Sequence, residues 1–277
     1  MMKLIKALFV FTIFICFSSF VNAQVSISPT SLFFDSNQKF ATLLVMNGTD
    51  KKQEVFLEFP FGYPDAGTDG NLAMVYDNPE MAKNYSIEEN VKGFPRNFIL
   101  EPGQRQTIRL TVRPGSQLKE GVYWTRIKTI SNPESPPVGA AAEDKINPQI
   151  TFKFEQVTTL FYKVGKATTG LNIEDARIDL GENKAALITD VTLVGNSPYL
   201  GSMNLEVKDD AGQTVFTDQV FVSIYVDDAR RIEFDASDLS SGDYMATLTF
   251  KTERADIPQD DIIQAPPVSK QIQFSIP

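Results

Sequence analysis

The sequence predicts an all-β chain folded as two tandem immunoglobulin-like β-sandwich domains. Three observations carry this. Apolar residues alternate with polar ones in short runs bounded by Gly, Pro, Asn and Asp, the mark of half-buried strands in an antiparallel sandwich. A degenerate repeat, L-x-x-G-x-Y, occurs once in each half of the chain. About 254 residues remain once a leader is set aside, which suits two domains better than one.

The leader comes first. Met1-Met2-Lys3-Leu4-Ile5-Lys6 gives a positive start, Ala7 to Phe20 is nearly unbroken apolar sequence, and Val21-Asn22-Ala23 places small residues before a cleavage point at Gln24. Residues 1–23 therefore read as a secretory signal peptide and not as a membrane anchor, which would be longer and would lack the cleavage pattern. Bulky Ile15 before Cys16 disfavours a lipoprotein signal. Cys16 is the single cysteine, so the mature chain relies on its core and not on disulfides.

Charge and composition remove whole classes of function. The net charge is −9, and loss of Lys3 and Lys6 takes the mature chain to −11. That excess argues against nucleic acid and anionic lipid as partners. The chain has no histidine, which excludes His-based triads, imidazole metal sites and histidine proton switches. No cofactor is expected.

The strand pattern runs through Val25 to Ile27, Ala41 to Met46, Val55 to Phe59, Thr107 to Val112, Tyr123 to Ile130 and Ile150 to Tyr162. It resumes at Ala186 to Leu193, Met203 to Val207, Arg231 to Phe234, Tyr244 to Phe250 and Lys270 to Ile276. The repeat is Leu118 to Tyr123 in the first half and Leu239 to Tyr244 in the second, each between two alternating strands. Immunoglobulin-like sandwiches turn their E–F corner this way, with Gly allowing the bend and Tyr packing back on it. The domains are placed at 24–165 and 166–277, joined near Val164-Gly165-Lys166-Ala167-Thr168. Gly62 to Gly93 reads as a long polar loop, helical periodicity being weak at Asn78 to Asn90. Ser131 to Pro148 reads as a mobile segment, and Asp209 to Gly212 as a hairpin turn.

Local motifs with chemical promise are few. Ser36-Asn37-Gln38-Lys39 matches a Ser–Lys nucleophile spacing, but that chemistry needs a helix start; between two strands it reads as a turn. Asp65, Asp69 and Gly70 suggest a calcium loop whose twelfth position, Tyr76, cannot ligate. Asn47-Gly48-Thr49 and Asn84-Tyr85-Ser86 read as turns. The alternating row Ile150, Phe152, Phe154 is the strongest functional hint. Either it packs into its own core, or it stands on an edge strand and completes the sheet of another protein.

Several segments resemble one family. The opening strand from Val25 to Phe34 is similar to its first strand. Phe94-Pro95-Arg96-Asn97-Phe98-Ile99-Leu100-Glu101-Pro102-Gly103-Gln104-Arg105-Gln106-Thr107-Ile108-Arg109-Leu110 is similar to its most recognisable block. Tyr123-Trp124, Leu160-Phe161-Tyr162-Lys163 and Asn196-Ser197-Pro198-Tyr199 continue the match. The family is the periplasmic chaperones of pilus and fimbria assembly (PapD-like, chaperone–usher). The resemblance implies two immunoglobulin-like domains in an L-shaped arrangement and a non-enzymatic periplasmic protein. It implies pilus or fimbrial subunits as partners, together with an outer-membrane usher, and leaves self-capping as a dimer open. It also implies donor-strand complementation, with Ile150, Phe152 and Phe154 as the lent row. The family grips a subunit's terminal carboxylate with an Arg and a Lys; the matching positions here are Ser31 and Thr159. Either Lys163 or Arg126 serves instead, or strand pairing alone holds the partner. The contrasting reading is a structural or adhesive immunoglobulin-like module.

Overall fold

The structure, a computed structural model, describes residues 25–115, 117–134, 152–181, 184–237 and 239–277. The leader, Ile150 and nearly all of the segment expected to be mobile lie outside the described residues.

The first sandwich is built of β1 (Val25–Ser28), β2 (Ser31–Phe34), β3 (Phe40–Asn47), β4 (Gln53–Glu58), β7 (Val91–Phe94), β8 (Asn97–Leu100), β9 (Arg105–Val112), β10 (Gly121–Pro133) and β11 (Phe154–Val164). One sheet has the order β1-β3-β9-β7 and the other β2-β11-β10-β4-β8. Alternation dictates the layers: Leu43, Val45, Ile108 and Leu110 point inward from one sheet, and Val55, Leu57, Ile127 and Leu160 from the other, all fully buried. Each such side chain contributes about 1.5–3 kcal/mol by leaving water. Two of the chain's passages between the sheets fall at proline, Pro29 between β1 and β2 and Pro95 between β7 and β8. Proline suits such crossings because it has no N–H to leave unpaired.

The second sandwich pairs β12 (Thr169–Leu180), β13 (Lys184–Gly195) and β16 (Asp228–Asp235) in one sheet. Its other sheet has the order β15 (Thr214–Ile224), β14 (Tyr199–Asp209), β17 (Gly242–Lys251), β18 (Val268–Ile276). Its core holds Leu187, Met203, Leu205, Val207, Ile232, Leu248 and Phe250. Both expected corners are present in the same register. Tyr123 donates its hydroxyl to the Lys119 carbonyl (3.1 Å) and Tyr244 to the Ser240 carbonyl (2.7 Å), four residues back in each case. Gly121 and Gly242 sit at φ of 145° and 154°, where a Cβ would be strained. The turn at Asp209 to Gly212 joins β14 to β15, with Gly212 at φ 79° and the Asp209 carboxylate accepting from the Gln213 N–H.

The 62–93 segment is not a plain loop. It folds into a hairpin, β5 (Tyr63–Ala66) with β6 (Leu72–Val75), and then a short helix, α1 (Pro79–Tyr85). Asn78 caps α1 by accepting from the Met81 N–H, and Pro79 occupies the first turn. Packing between the two sandwiches decides this structure. Phe61, Tyr63, Trp124 and Phe161 meet Leu200, Tyr225, Ile257 and Ile262 of the second sandwich in one buried cluster. The Ala66 N–H donates to Asp228, which pairs with Arg230 in a site closed to solvent. Asn196 fastens the junction: its amide donates to the Glu120 and Lys166 carbonyls and its carbonyl oxygen accepts from the Thr168 N–H. Ser131, expected to open a mobile segment, is a buried residue of β10.

Candidate functional site

β11 is paired along its whole length on one side only. β10 runs antiparallel to it from Gly121↔Val164 to Ser131↔Phe154. On the other side the short parallel strand β2 covers Thr159 to Tyr162 and stops at Ser31. Phe154 to Thr158 therefore present an open rim. The Thr159 N–H points away from β10, to the Thr30 carbonyl at 3.3 Å. Backbone direction alternates along a strand, so the N–H and C=O groups of Glu155 and Val157 face the same open side.

Side chains divide by parity. Leu160 and Tyr162 enter the core, and Thr158 donates to the Ile127 carbonyl. Phe154 and Phe152 continue that row past the end of the core. Phe154 is half-buried and Phe152 is 64% exposed, their rings stacked at 6.3 Å. Gln156, between them and the core, donates to the Val25 carbonyl at 2.7 Å, while its own carbonyl oxygen is buried without a partner. Glu155, on the outward face, is held by Lys128 and Lys153, whose hydrogen bonds keep its carboxyl below the usual range.

The strand register brings three residues singled out in the sequence side by side. Ser31, Thr159 and Arg126 are successive cross-strand neighbours on β2, β11 and β10. Arg126 is 5% exposed. Its Nε donates to the Gly62 carbonyl at 2.8 Å, its Nη1 donates to the Thr159 hydroxyl, and its guanidinium lies 4.8 Å over the Tyr225 ring. Nη2 is buried with no partner, and no carboxylate pairs with the guanidinium among the described residues. A buried cation in that condition is costly and suits an anion arriving from outside.

Lys163 has different surroundings. It is exposed and lines a cavity of about 200 Å³ between the sandwiches, floored by Phe33, Phe161 and Leu200 and rimmed by Asp35, Asp260 and Asp261. Partial burial, then Asp260, push the Asp261 carboxyl above the usual range. Three carboxylates around one ammonium leave this cavity negative.

The other motifs resolve into turns and hairpin. Ser36 and Lys39 are exposed between β2 and β3, where Asp35 accepts from the Asn37 and Gln38 N–H groups (2.7 and 2.8 Å) and no helix follows. Asp69 accepts from Asn71 at the β5–β6 hairpin. Asn47 closes a turn with Thr49, whereas Asn84 and Tyr85 end α1. Among the described residues no helix is long and apolar enough to cross a membrane, and no three metal-ligating side chains converge.

No family model matches the sequence, and no curated protein matches it. Solved structures do align with it over most of its length. The YadV chaperone is 12% identical, covering 90% of this chain and 100% of its own at a TM-score of 0.43. The E. coli chaperone DraB is 13% identical over 91% and 98%, at 0.41. The CsuC–CsuE chaperone–tip adhesion subunit pre-assembly complex of Acinetobacter baumannii gives 12% over 91% and 98%, at 0.42. Each is a likeness in architecture; the sandwich assignment here stands on the strand pairing and the two tyrosine corners.

Proposed function

We propose that this chain is a periplasmic chaperone that caps an incomplete pilus-type or related surface subunit by lending it the rim of β11. The observation that carries the proposal is the open edge at Phe154 to Thr158, with Phe152 exposed at its head. The strand that borders the gap in a client's sheet pairs with the backbone of Glu155 and Val157, and the client's apolar groove receives the Ile150, Phe152 and Phe154 row. A client ending beside Thr159 presents its carboxylate to Arg126 Nη2 and to the Thr159 and Ser31 hydroxyls. Of the two candidate anchors the geometry favours Arg126, because the acidic rim around Lys163 repels a carboxylate. The domain limits 24–165 and 166–277 belong to the same reading. So does export to the periplasm, and an outer-membrane usher is the expected acceptor of the loaded client.

The test is co-purification of tagged protein from the native periplasm, with mass spectrometry of whatever accompanies it. Wild type is expected to bring down a subunit with an incomplete sandwich. Phe152→Asp is expected to fold normally, since the side chain is exposed, and to bring down none. Normal capture by Phe152→Asp removes the donor role and leaves an immunoglobulin-like structural or adhesive module.

A further inference from the structure

The outward face of the β1-β3-β9-β7 sheet has a composition unlike the rest of the molecule. Its four strands contain no acidic residue. β9 directs Arg105 and Arg109 outward, with Arg113 following in the same phase, and β7 adds Lys92. None of these four cations reaches a carboxylate among the described residues. Large apolar side chains stand among them. Phe94 pairs with Arg109 across the ladder and is 76% exposed; Phe40 lies across Thr111 from Lys92 and is 65% exposed. Leu44 and Met46 complete the surface, the Arg105 guanidinium donating to the Met46 sulfur at 3.3 Å. Meanwhile the second sandwich, 166–277, holds nineteen acidic and nine basic residues. The low average charge of the chain thus conceals a cationic face on one sandwich and an acidic body in the other.

We propose that this face docks an acidic polypeptide surface, at a site separate from the β11 rim. Two exposed phenyl rings, three arginines and a methionine with no acid is the composition of a protein-interface core, where aromatic, Met and Arg side chains are enriched and Asp and Glu depleted. Guanidinium forks match carboxylates in geometry as well as charge. Four strands about 4.8 Å apart and up to about 27 Å long give a patch of roughly 400 Å². That is half of the ~800 Å² each partner contributes to a stable complex, so the contact is a transient one. A protein fits better than an anionic bilayer, because a bilayer repels the whole chain with its net charge of −9, whereas a protein partner need meet only this cationic face.

The test uses a fluorescein-labelled twelve-residue peptide of four Glu-Glu-Leu repeats, and its counterpart with Gln for Glu, followed by fluorescence anisotropy at two salt concentrations. The Glu peptide is expected to bind at least tenfold more tightly than the Gln peptide, and to weaken several-fold as salt rises. The double variant Arg105→Glu/Arg109→Glu and, independently, Thr107→Glu are expected to lose at least tenfold in affinity at unchanged Tm. Phe152→Asp is expected to bind as wild type does, which separates this face from the rim. Equal binding by the charge-reversed variants overturns the proposal. So does co-sedimentation with phosphatidylglycerol vesicles where the peptide does not bind, or a wild-type dimer in sedimentation velocity that the double variant abolishes.

Discussion

Replacing Arg126 with Met separates stability from function. In the free protein the substitution removes two hydrogen bonds, to the Gly62 carbonyl and the Thr159 hydroxyl, each worth about 1.5–3 kcal/mol when the donor is charged. The Gly62 carbonyl keeps the Trp124 indole as a donor at 3.1 Å. The same change removes a guanidinium that is 5% exposed and lacks a counter-charge, whose burial costs several kcal/mol. The opposing effects are of similar size, so stability is expected to stay within about 1.5 kcal/mol, a shift of a few degrees in Tm. In the complex nothing offsets the loss. Removing one partner of a buried, hydrogen-bonded charge pair costs about 2–5 kcal/mol, or roughly 30- to 5,000-fold in affinity.

The assay is a double cycle by calorimetry, using the C-terminal peptide of the co-purifying subunit with a free carboxylate or a terminal amide. Amidation should weaken binding to wild type at least tenfold more than binding to Arg126→Met, a coupling of about 1.4 kcal/mol or more. Equal effects on both proteins refute the anchor. So does a loss above about 3 kcal/mol in the stability of the variant, which would make Arg126 structural.

Tyr244→Phe removes the corner hydrogen bond in the second sandwich and is expected to cost about 1 kcal/mol in chemical denaturation, Tyr123→Phe less because that hydroxyl is exposed. The Asp35 carboxyl is held below its usual range by the Gln38 and then the Asn37 N–H groups. A lowered folded pKa gives stability present above the unfolded value and lost as pH falls through the folded one. The gap in stability between wild type and Asp35→Ala, about 0.5–1 kcal/mol after solvent screening, should therefore be full at pH 6 and shrink as the pH falls through and below the usual carboxylate range. A gap that widens on acidification contradicts this.

Legibility in the sequence followed burial. β3, β9 and β17 alternate because one face is core, and each is visible as a period of two; β10 is buried on both faces, against the core and against the second sandwich. β12 was missed: a bulge between Ile173 and Asp175 breaks its phase, and as an edge strand it exposes Glu174, Asp175 and Asp179. β15 was missed because Thr217, Asp218 and Gln219 lie on an exposed edge. The hairpin and helix of 62–93 carry Gly and Pro at loop densities; contacts to Asp228 and Tyr225, distant in sequence, organise them. Phe152 and Phe154 were readable as an alternating row, but their release from the core depends on where β2 ends. Arg126 was only one basic residue among several until the β2-β11-β10 register placed it beside Thr159 and Ser31.

Residue-resolved hydrogen exchange at Glu155 and Val157 bears most directly on the lent edge. In the free protein both amides should exchange far faster than those of Gln156 and Thr158, which face β10; with a captured subunit bound, both should slow by about a hundredfold or more. Protection of both amides in the free protein, or no change in either on capture, would contradict the account.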